Sequence, residues 1–361
     1  DNFKVKNLAI NSSILINSSQ LKRNNLIDKN FIEINEFIDL KDHEIKASYA
    51  NKKLSIEGKG QVKLQNKFDL INYKVNNNGS NLNLVSNIEL SEIDIKNQNL
   101  IKKYFPNTKN ILSLKDHKIN INYKNNILSL KGLGKVKLEN EFNKIRYSFS
   151  KKNKKYSFET DLEVNDAPLQ IDIINYEKNK KFNSELSIIG SYTKKTGLDL
   201  KKIDLISKDN KLIINNLILD NKNKIVKVDK IDLDYFDNSE KRNKFVLNRI
   251  KNNYYELKGS LLNADTIITN LLESKDDQQL NIFKENINIS LNISDVYLDN
   301  NNVIKNLKGK LEIIDNKVDQ VDISALFDNN KYLTFSINTK DDEKITTLFS
   351  SKAKPLVKRY K

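Results

Sequence analysis

The chain has 361 residues and a net charge of +15, and it contains no Cys, Met or Trp. The absence of Cys excludes disulfides, thiolate metal sites and cysteine nucleophiles. Its 62 basic residues are mixed with 47 acidic ones along the whole length, and Lys far exceeds Arg. Scattered Lys is unlike the Arg-rich clusters that contact phosphates and bases in pairs of hydrogen bonds, so we expect no nucleic-acid partner.

A tandem repeat of about 74 residues fills the first part of the chain. The segment LKDHEIKASYANKKLSIEGKGQVKLQNKFDLINY from Leu40 matches LKDHKININYKNNILSLKGLGKVKLENEFNKIRY from Leu114 without a gap, and 18 of the 34 positions are identical. Weaker matches extend the units upstream to residues 8–81 and 82–155, pairing Leu26, Ile27 and Phe31 with Leu100, Ile101 and Phe105. A fixed period predicts supersecondary units that bury their apolar faces against their neighbours.

Alternation of apolar and polar residues predicts half-buried strands within each unit. The segment from Leu128 to Leu138 places Leu, Val and Gly on one face and mostly charged residues on the other, and the first copy does the same from Leu54 to Leu64. Short polar breaks between such segments predict hairpins. We therefore expect a long twisted antiparallel sheet with these side chains on its apolar face: Ile45, Leu54, Ile56, Val62, Leu64, Ile119, Ile121, Leu128, Leu130, Val136, Leu138, Tyr147, Phe149, Phe158 and Leu162.

The same pattern continues beyond the clear repeat. Further strands are predicted at 171–174, 186–189, 203–206, 212–219 and 225–233. Three short helices are predicted at 97–105, ended by Pro106, at 264–273, and from Lys352 to the end of the sequence. We divide the chain into two meander repeats over 1–155, a diverged continuation over 156–255, and a third segment over 256–361.

The only two histidines belong to the repeat, as Asp42-His43 and Asp116-His117, and lie just before predicted strands. Catalytic sites are rarely duplicated in tandem, whereas structural positions are duplicated with their unit. Neither pair has a second His or a group of carboxylates at metal-ligand spacing. We interpret both pairs as structural, and we expect no catalytic residue, no metal and no cofactor.

A sheet of some twenty strands with one apolar face must hide that face from water. Two sheets can close face to face, which would give a structural or adhesive β-rod with dry cores. Alternatively, one sheet curls into an elongated apolar groove that is filled by lipid acyl chains. The absence of Pro/Gly/Ser linkers favours the groove. An acyl chain of about sixteen carbons costs on the order of 10 kcal/mol to expose to water, so such a groove can carry lipid.

The C-terminal third resembles the AsmA-like superfamily, in particular its large YhdP-like members, which are related to TamB. The resemblance lies in LKGSLLNADTIITNLLES from Leu257, NLKGKLEI from Asn306, VDISALF from Val321, and ITTLFSSKAKPLVKRY from Ile345. It implies a non-enzymatic periplasmic protein of Gram-negative bacteria whose β-groove carries phospholipid between the inner and outer membranes. It also implies outer-membrane or periplasmic protein partners.

The sequence has no run of about 18 apolar residues, so it contains no segment that predicts a transmembrane helix. It also begins at Asp1 and lacks Met. We therefore expect this chain to be a fragment of a longer protein, with the inner-membrane anchor implied by the resemblance lying outside it.

Overall fold

In a computed structural model of the chain, the structure describes residues 9–22, 36–178, 182–265, 283–299, 301–315, 317–327, 330–340 and 343–352. Strands account for 74% of the structure, which confirms the all-β class. The chain divides into two compact units, one of Asp1–Gln170 and Lys178–Leu186 and the other of Ile171–Glu177 and Ser187–Lys361.

The strands follow one another with little else between them. They are β1 (Ala9–Lys22), β2 (Phe37–Ala50), β3 (Lys53–Lys63), β4 (Phe68–Asn77), β5 (Leu82–Lys96), β6 (Ile111–Lys124), β7 (Ile127–Lys137), β8 (Phe142–Lys152), β9 (Lys155–Val164), β10 (Gln170–Ile171), β11 (Tyr176–Glu177), β12 (Ser184–Thr193), β13 (Gly197–Ser207), β14 (Lys211–Leu219), β15 (Ile225–Lys227), β16 (Lys230–Phe236), β17 (Arg242–Lys251), β18 (Tyr254–Asn263), β19 (Ile287–Tyr297), β20 (Val303–Ile314), β21 (Lys317–Leu326), β22 (Tyr332–Lys340) and β23 (Glu343–Ser350). The short strands β10 and β11 pair only with each other, and the other strands pair into larger β-sheet.

In the first unit, β1 to β9 form a meander in which each strand pairs antiparallel with the next. Strands β6 and β7 begin and end 74 residues after β2 and β3. The hairpin turns explain the local folding: Asn51-Lys52 and Asn125-Asn126 have positive φ at both residues. Two consecutive residues with positive φ match the twist of paired strands, and Asn tolerates that conformation well.

One helix, α1 (Asn99–Tyr104), follows β5 in the first unit. It confirms the helix predicted over 97–105, although it is shorter at both ends. The helix predicted over 264–273 lies outside the described residues except for Ala264 and Asp265, and the one beginning at Lys352 lies outside them beyond that residue. The upstream repeat positions Leu26, Ile27 and Phe31 also lie outside them.

In the second unit, β13, β14, β16, β17 and β18 pair antiparallel in succession, and so do β19 to β23. The sheet is nevertheless mixed, because β18 pairs parallel with β19. A parallel neighbour requires a long crossover connection. The chain has residues 264–286 between these two strands, which is long enough for such a connection. The expectation of an antiparallel sheet is corrected at this pair.

Two of the predicted strands differ from the structure. The segment 171–174 contributes only Ile171 to a strand, because Asp172–Ile174 form a 3-10 turn that ends at Asn175 in the left-handed conformation. The segment 225–233 is two strands, β15 and β16, separated by Val228 and Asp229. Val228 is completely buried, so this break directs an apolar side chain inward.

Candidate functional site

The predicted lining residues of the first unit lie on one face of the sheet. The register pairs Ile121 with Leu130, Leu130 with Phe149, and Phe149 with Phe158, so four strands contribute to one row of side chains. The neighbouring row contains Ile119 and Tyr147. Because directly opposed residues project from the same side of a sheet, these rows form a continuous surface, which we call the apolar face.

The first repeat contributes to the same face. Ile45 pairs with Gly58, Ile56 with Val75, and Val75 with Leu84. Val62 and Val136 occupy equivalent positions in the two repeats, and Leu162 pairs with Ile145. Leu64 and Leu138 follow directly after β3 and β7. The remaining predicted lining residues, Leu54 and Leu128, lie on the apolar face as well, because side chains alternate between the two faces along β3 and β7.

The opposite face is polar. Asn72, Asn87 and Asn120 form a ladder across three strands, in which the Asn87 amide donates to Asn72 Oδ1 at 2.9 Å and the Asn120 amide donates to Asn87 Oδ1 at 2.7 Å. Leu133, which projects to this side from β7, is 52% exposed. We call this side the polar face.

Burial of the apolar face changes along the strands. Near the end where α1 lies, which we call the helix end, Val62, Val136 and Leu138 are 6%, 4% and 4% exposed. The rows nearer the other end are only half-buried. These rows contain Ile45, Leu54, Ile56, Ile119, Ile121, Leu128, Leu130, Tyr147, Phe149, Phe158 and Leu162. Leu64, also at the helix end, is half-buried. The apolar face is therefore more deeply buried at the helix end, around Val62, Val136 and Leu138, than along its remaining length.

The repeated Asp-His pairs lie inside strands, at a bulge, and not before a strand as expected. Asp42 and Asp116 have φ values of 53° and 55°, and the pairing register shifts at both places. A bulge adds one residue to one strand and therefore changes which face later side chains occupy. Leu114 precedes the shift and Ile119 follows it, yet both project onto the apolar face.

Each buried histidine covers a glycine of the neighbouring strand. His117, which is 1% exposed, lies over Gly134, and its Nε2 is 3.0 Å from the carbonyl oxygen of Lys135. Its Nδ1 is 3.0 Å from the Tyr147 hydroxyl. The Tyr147 ring in turn covers Gly132. The first repeat has the same arrangement, with His43 over Gly60 and Tyr73 over Gly58.

Burial shifts the pKa values within this cluster. It lowers the pKa of His117, because loss of water disfavours the charged imidazole more than the Lys135 carbonyl and Asp116 favour it. It raises the pKa of the Tyr147 hydroxyl to about 12. Both side chains are therefore neutral near pH 7.

A second repeated contact was not apparent from the sequence. The side chain of Asp69, near the start of β4, accepts a hydrogen bond from the Ser91 N–H at 2.7 Å. The equivalent Asn143 of β8 accepts one from the Asn165 N–H at 2.8 Å. We call each such contact a clasp. Its only signal in the sequence is a polar residue at an inward position, which is common at strand ends.

The second unit also has a clasp and a row of apolar side chains. Asn243 forms a clasp with the Asn263 N–H at 2.7 Å. The apolar row of the second unit contains half-buried side chains from five paired strands, and a buried cluster lies on each side of the row. The row contains Ile214, Ile231, Leu247, Leu257 and Leu291, and the clusters are built around Tyr255 and Ile293.

Two kinds of feature are not found in the described ranges. No group of three or more His, Asp or Glu residues suited to hold a metal ion occurs among them. Likewise, none of the helices in those ranges is both long and apolar enough to cross a membrane. Comparisons of the chain with protein-family models, with curated proteins and with solved structures give no match.

Proposed function

We propose that this chain is a non-enzymatic lipid conduit that holds phospholipid acyl chains on its apolar face. The observation that carries the proposal is the half-burial of the rows of the apolar face that lie away from the helix end. The row of Leu130 and Phe149 is one of them, and we call them the central rows. In a dry core, side chains of this size pack to near-complete burial. A wide apolar surface that stays accessible to water is unfavourable unless a ligand covers it.

Acyl chains suit this surface for two reasons. The lining side chains are branched aliphatic groups and aromatic rings, which contact apolar chains without recognising a particular one. In addition, each methylene group that leaves water contributes about 0.8 kcal/mol, so a chain lying across several rows gains enough to be retained. Low selectivity among acyl chains and retention of a whole lipid are the properties that a conduit requires.

The cellular setting is proposed from the resemblance of residues 255–361 to the AsmA-like superfamily. In that setting the chain lies in the periplasm, is anchored in the inner membrane by a segment outside this sequence, and passes phospholipid to or from the outer membrane. Outer-membrane or periplasmic proteins would be its partners. The alternative remains a structural or adhesive β-rod without lipid.

Photo-crosslinking tests whether lipid contacts the apolar face. A photoreactive residue is placed at Leu130 on the apolar face or, as a matched control, at Leu133 of the same strand on the polar face. After incubation with phospholipid vesicles, mass spectrometry is expected to find lipid adducts at Leu130 and not at Leu133. Equal labelling at both positions, or none at either, would contradict the proposal.

A substitution separates the conduit from the β-rod. Leu130→Asp places a carboxylate on the half-buried row, where water still reaches it, so we expect loss of lipid binding with a stability loss of about 1–2 kcal/mol. Val136→Asp at the buried helix end is the comparison, and we expect it to destabilise the fold far more. If both variants unfold to the same extent, the central rows are a dry core and the β-rod is correct.

A further inference from the structure

The two ends of the strands in the first unit differ in charge. The end opposite to the helix end carries the hairpin turns, and its segments 50–53, 77–82, 124–127 and 151–155 contain seven Lys and no Asp or Glu. The helix end carries both signs, with Glu92, Glu139 and Glu141 among its acidic residues. We call the seven the lysine rim, and all of them are exposed: Lys52, Lys53, Lys124, Lys151, Lys152, Lys154 and Lys155.

The lysine rim borders the accessible part of the apolar face. Lys151 belongs to a row of that face, because the register pairs it with Leu128 on one side and Tyr156 on the other. Its Nζ lies 5.4 Å from the centre of the Tyr156 ring. Among the residues that the structure describes, no carboxylate forms an ion pair with a lysine of the rim. Within the described ranges, no ion pair therefore neutralises the charge of the lysine rim.

Tyrosines mark the boundary between the two surfaces. Tyr49, Tyr123 and Tyr156 are half-buried on the last apolar rows before the rim. The surface therefore changes from apolar side chains to amphipathic rings and then to lysines. A phospholipid has a matching succession of acyl chains, interfacial region and phosphate.

We infer that the lysine rim binds the phosphate of the lipid headgroup, so that the first unit prefers lipids with a net negative headgroup. This inference rests on the proposed function, because it assumes that the acyl chains lie on the apolar face. A zwitterionic headgroup carries its own ammonium close to its phosphate. The electrostatic attraction between the lysines and a zwitterionic headgroup is therefore weaker than that between the lysines and a headgroup with an uncompensated negative charge.

The test compares two lipids on the complete chain. Phosphatidylglycerol and phosphatidylcholine with identical acyl chains are offered in equal amounts, and bound lipid is quantified by mass spectrometry after removal of the vesicles. A rim variant changes four lysines of one hairpin to Gln, and a control variant changes four lysines near α1. The rim variant is Lys151→Gln, Lys152→Gln, Lys154→Gln and Lys155→Gln, and the control is Lys102→Gln, Lys103→Gln, Lys109→Gln and Lys115→Gln.

We expect the unchanged chain and the control to prefer phosphatidylglycerol, and the preference to fall about tenfold in the rim variant. Binding of phosphatidylcholine should change much less than binding of phosphatidylglycerol among the three chains. A rim variant that keeps the preference, or an unchanged chain without one, overturns the inference. So does full displacement of phosphatidylglycerol by inorganic phosphate, which would make the rim a site for the free ion. Absence of both lipids from every chain would instead refute the proposed function.

Discussion

At the residue scale, the ring of Tyr147 occupies the space above Gly132 in which any other residue would carry a Cβ. Gly132→Ala therefore forces the ring or the strand to move, and we expect the free energy of unfolding to fall by about 1–3 kcal/mol. Chemical denaturation measures it. The same substitution in a Tyr147→Ala background is the control, because the atoms that would overlap are gone.

The comparison between the two backgrounds isolates the packing of ring on glycine. If Gly132→Ala costs the same with and without the Tyr147 ring, the cost arises from the backbone of the strand, and the ring does not explain the glycine. The sequence alone shows that Gly58 and Gly132 recur at equivalent positions. It cannot show why, because the ring that excludes a Cβ comes from the following strand.

The buried imidazole of His117 predicts a dependence of stability on pH. Its pKa in the folded state lies below the ordinary value of 6.5. As the pH falls below that value, the unfolded chain takes up a proton before the folded chain does. The free energy of unfolding therefore decreases from about pH 6.5 down through the folded-state pKa.

Denaturation at about pH 7.5 and about pH 5 tests this, since the carboxyl groups of Asp and Glu stay largely ionised across that interval. We expect His117→Gln to reduce the difference in stability between the two pH values, because Gln keeps a polar group but does not titrate. An unchanged difference in the variant would show that other groups produce the pH dependence.

At the element scale, the clasp between β4 and β5 predicts which changes of Asp69 are tolerated. Asp69 accepts hydrogen bonds from both the N–H and the hydroxyl of Ser91, each at 2.7 Å. Asp69→Ala removes the acceptor of both hydrogen bonds, so we expect a loss of about 1–3 kcal/mol in the free energy of unfolding.

The second repeat supplies the matched control, because Asn143 stands at the equivalent position and forms the same clasp. Asp69→Asn keeps an acceptor oxygen and should therefore be less destabilising than Asp69→Ala. Thermal denaturation of both variants checks the order. If Asn is as harmful as Ala, the negative charge of Asp69 matters and the clasp is not the reason for its burial.

The strands show which elements the sequence can predict. The predicted strand 128–138 is off by one residue from β7, because alternation along a single hydrophobic face fixes its period and extent. The bulge at Asp116 was missed although it leaves a signal, since inward residues change from even to odd positions between Leu114 and Ile119. The parallel pairing of β18 with β19 leaves no such signal, because either direction presents the same side chains on the same face.

The face on which each candidate side chain lies was predictable to the same degree as the strands. Every predicted lining residue lies on the apolar face or directly follows a strand on that face, because membership of a face depends only on alternation. The gradation of burial along the face was not predictable. It depends on which end of each strand is covered, and the alternation of side chains within a strand carries no information about that.

At the scale of the whole molecule, each unit has its own apolar row with half-buried members, and the clasp recurs in both. A conduit needs accessible apolar surface in every part of its length, whereas a binding pocket needs it in one place only. The proposed function therefore makes a claim about the second unit that the results for the first unit cannot test.

Leu247 provides that test. It lies in the half-buried row between Ile231 and Leu257, and its neighbour Val246 projects to the other face of β17. If the chain is a conduit, a photoreactive residue at Leu247 forms lipid adducts as the one at Leu130 does, and one at Val246 does not. Adducts at Leu130 without adducts at Leu247 would mean that the first unit is a local lipid site. The second unit would then fold around a dry core, and the conduit would have to be abandoned even though lipid binding was correct.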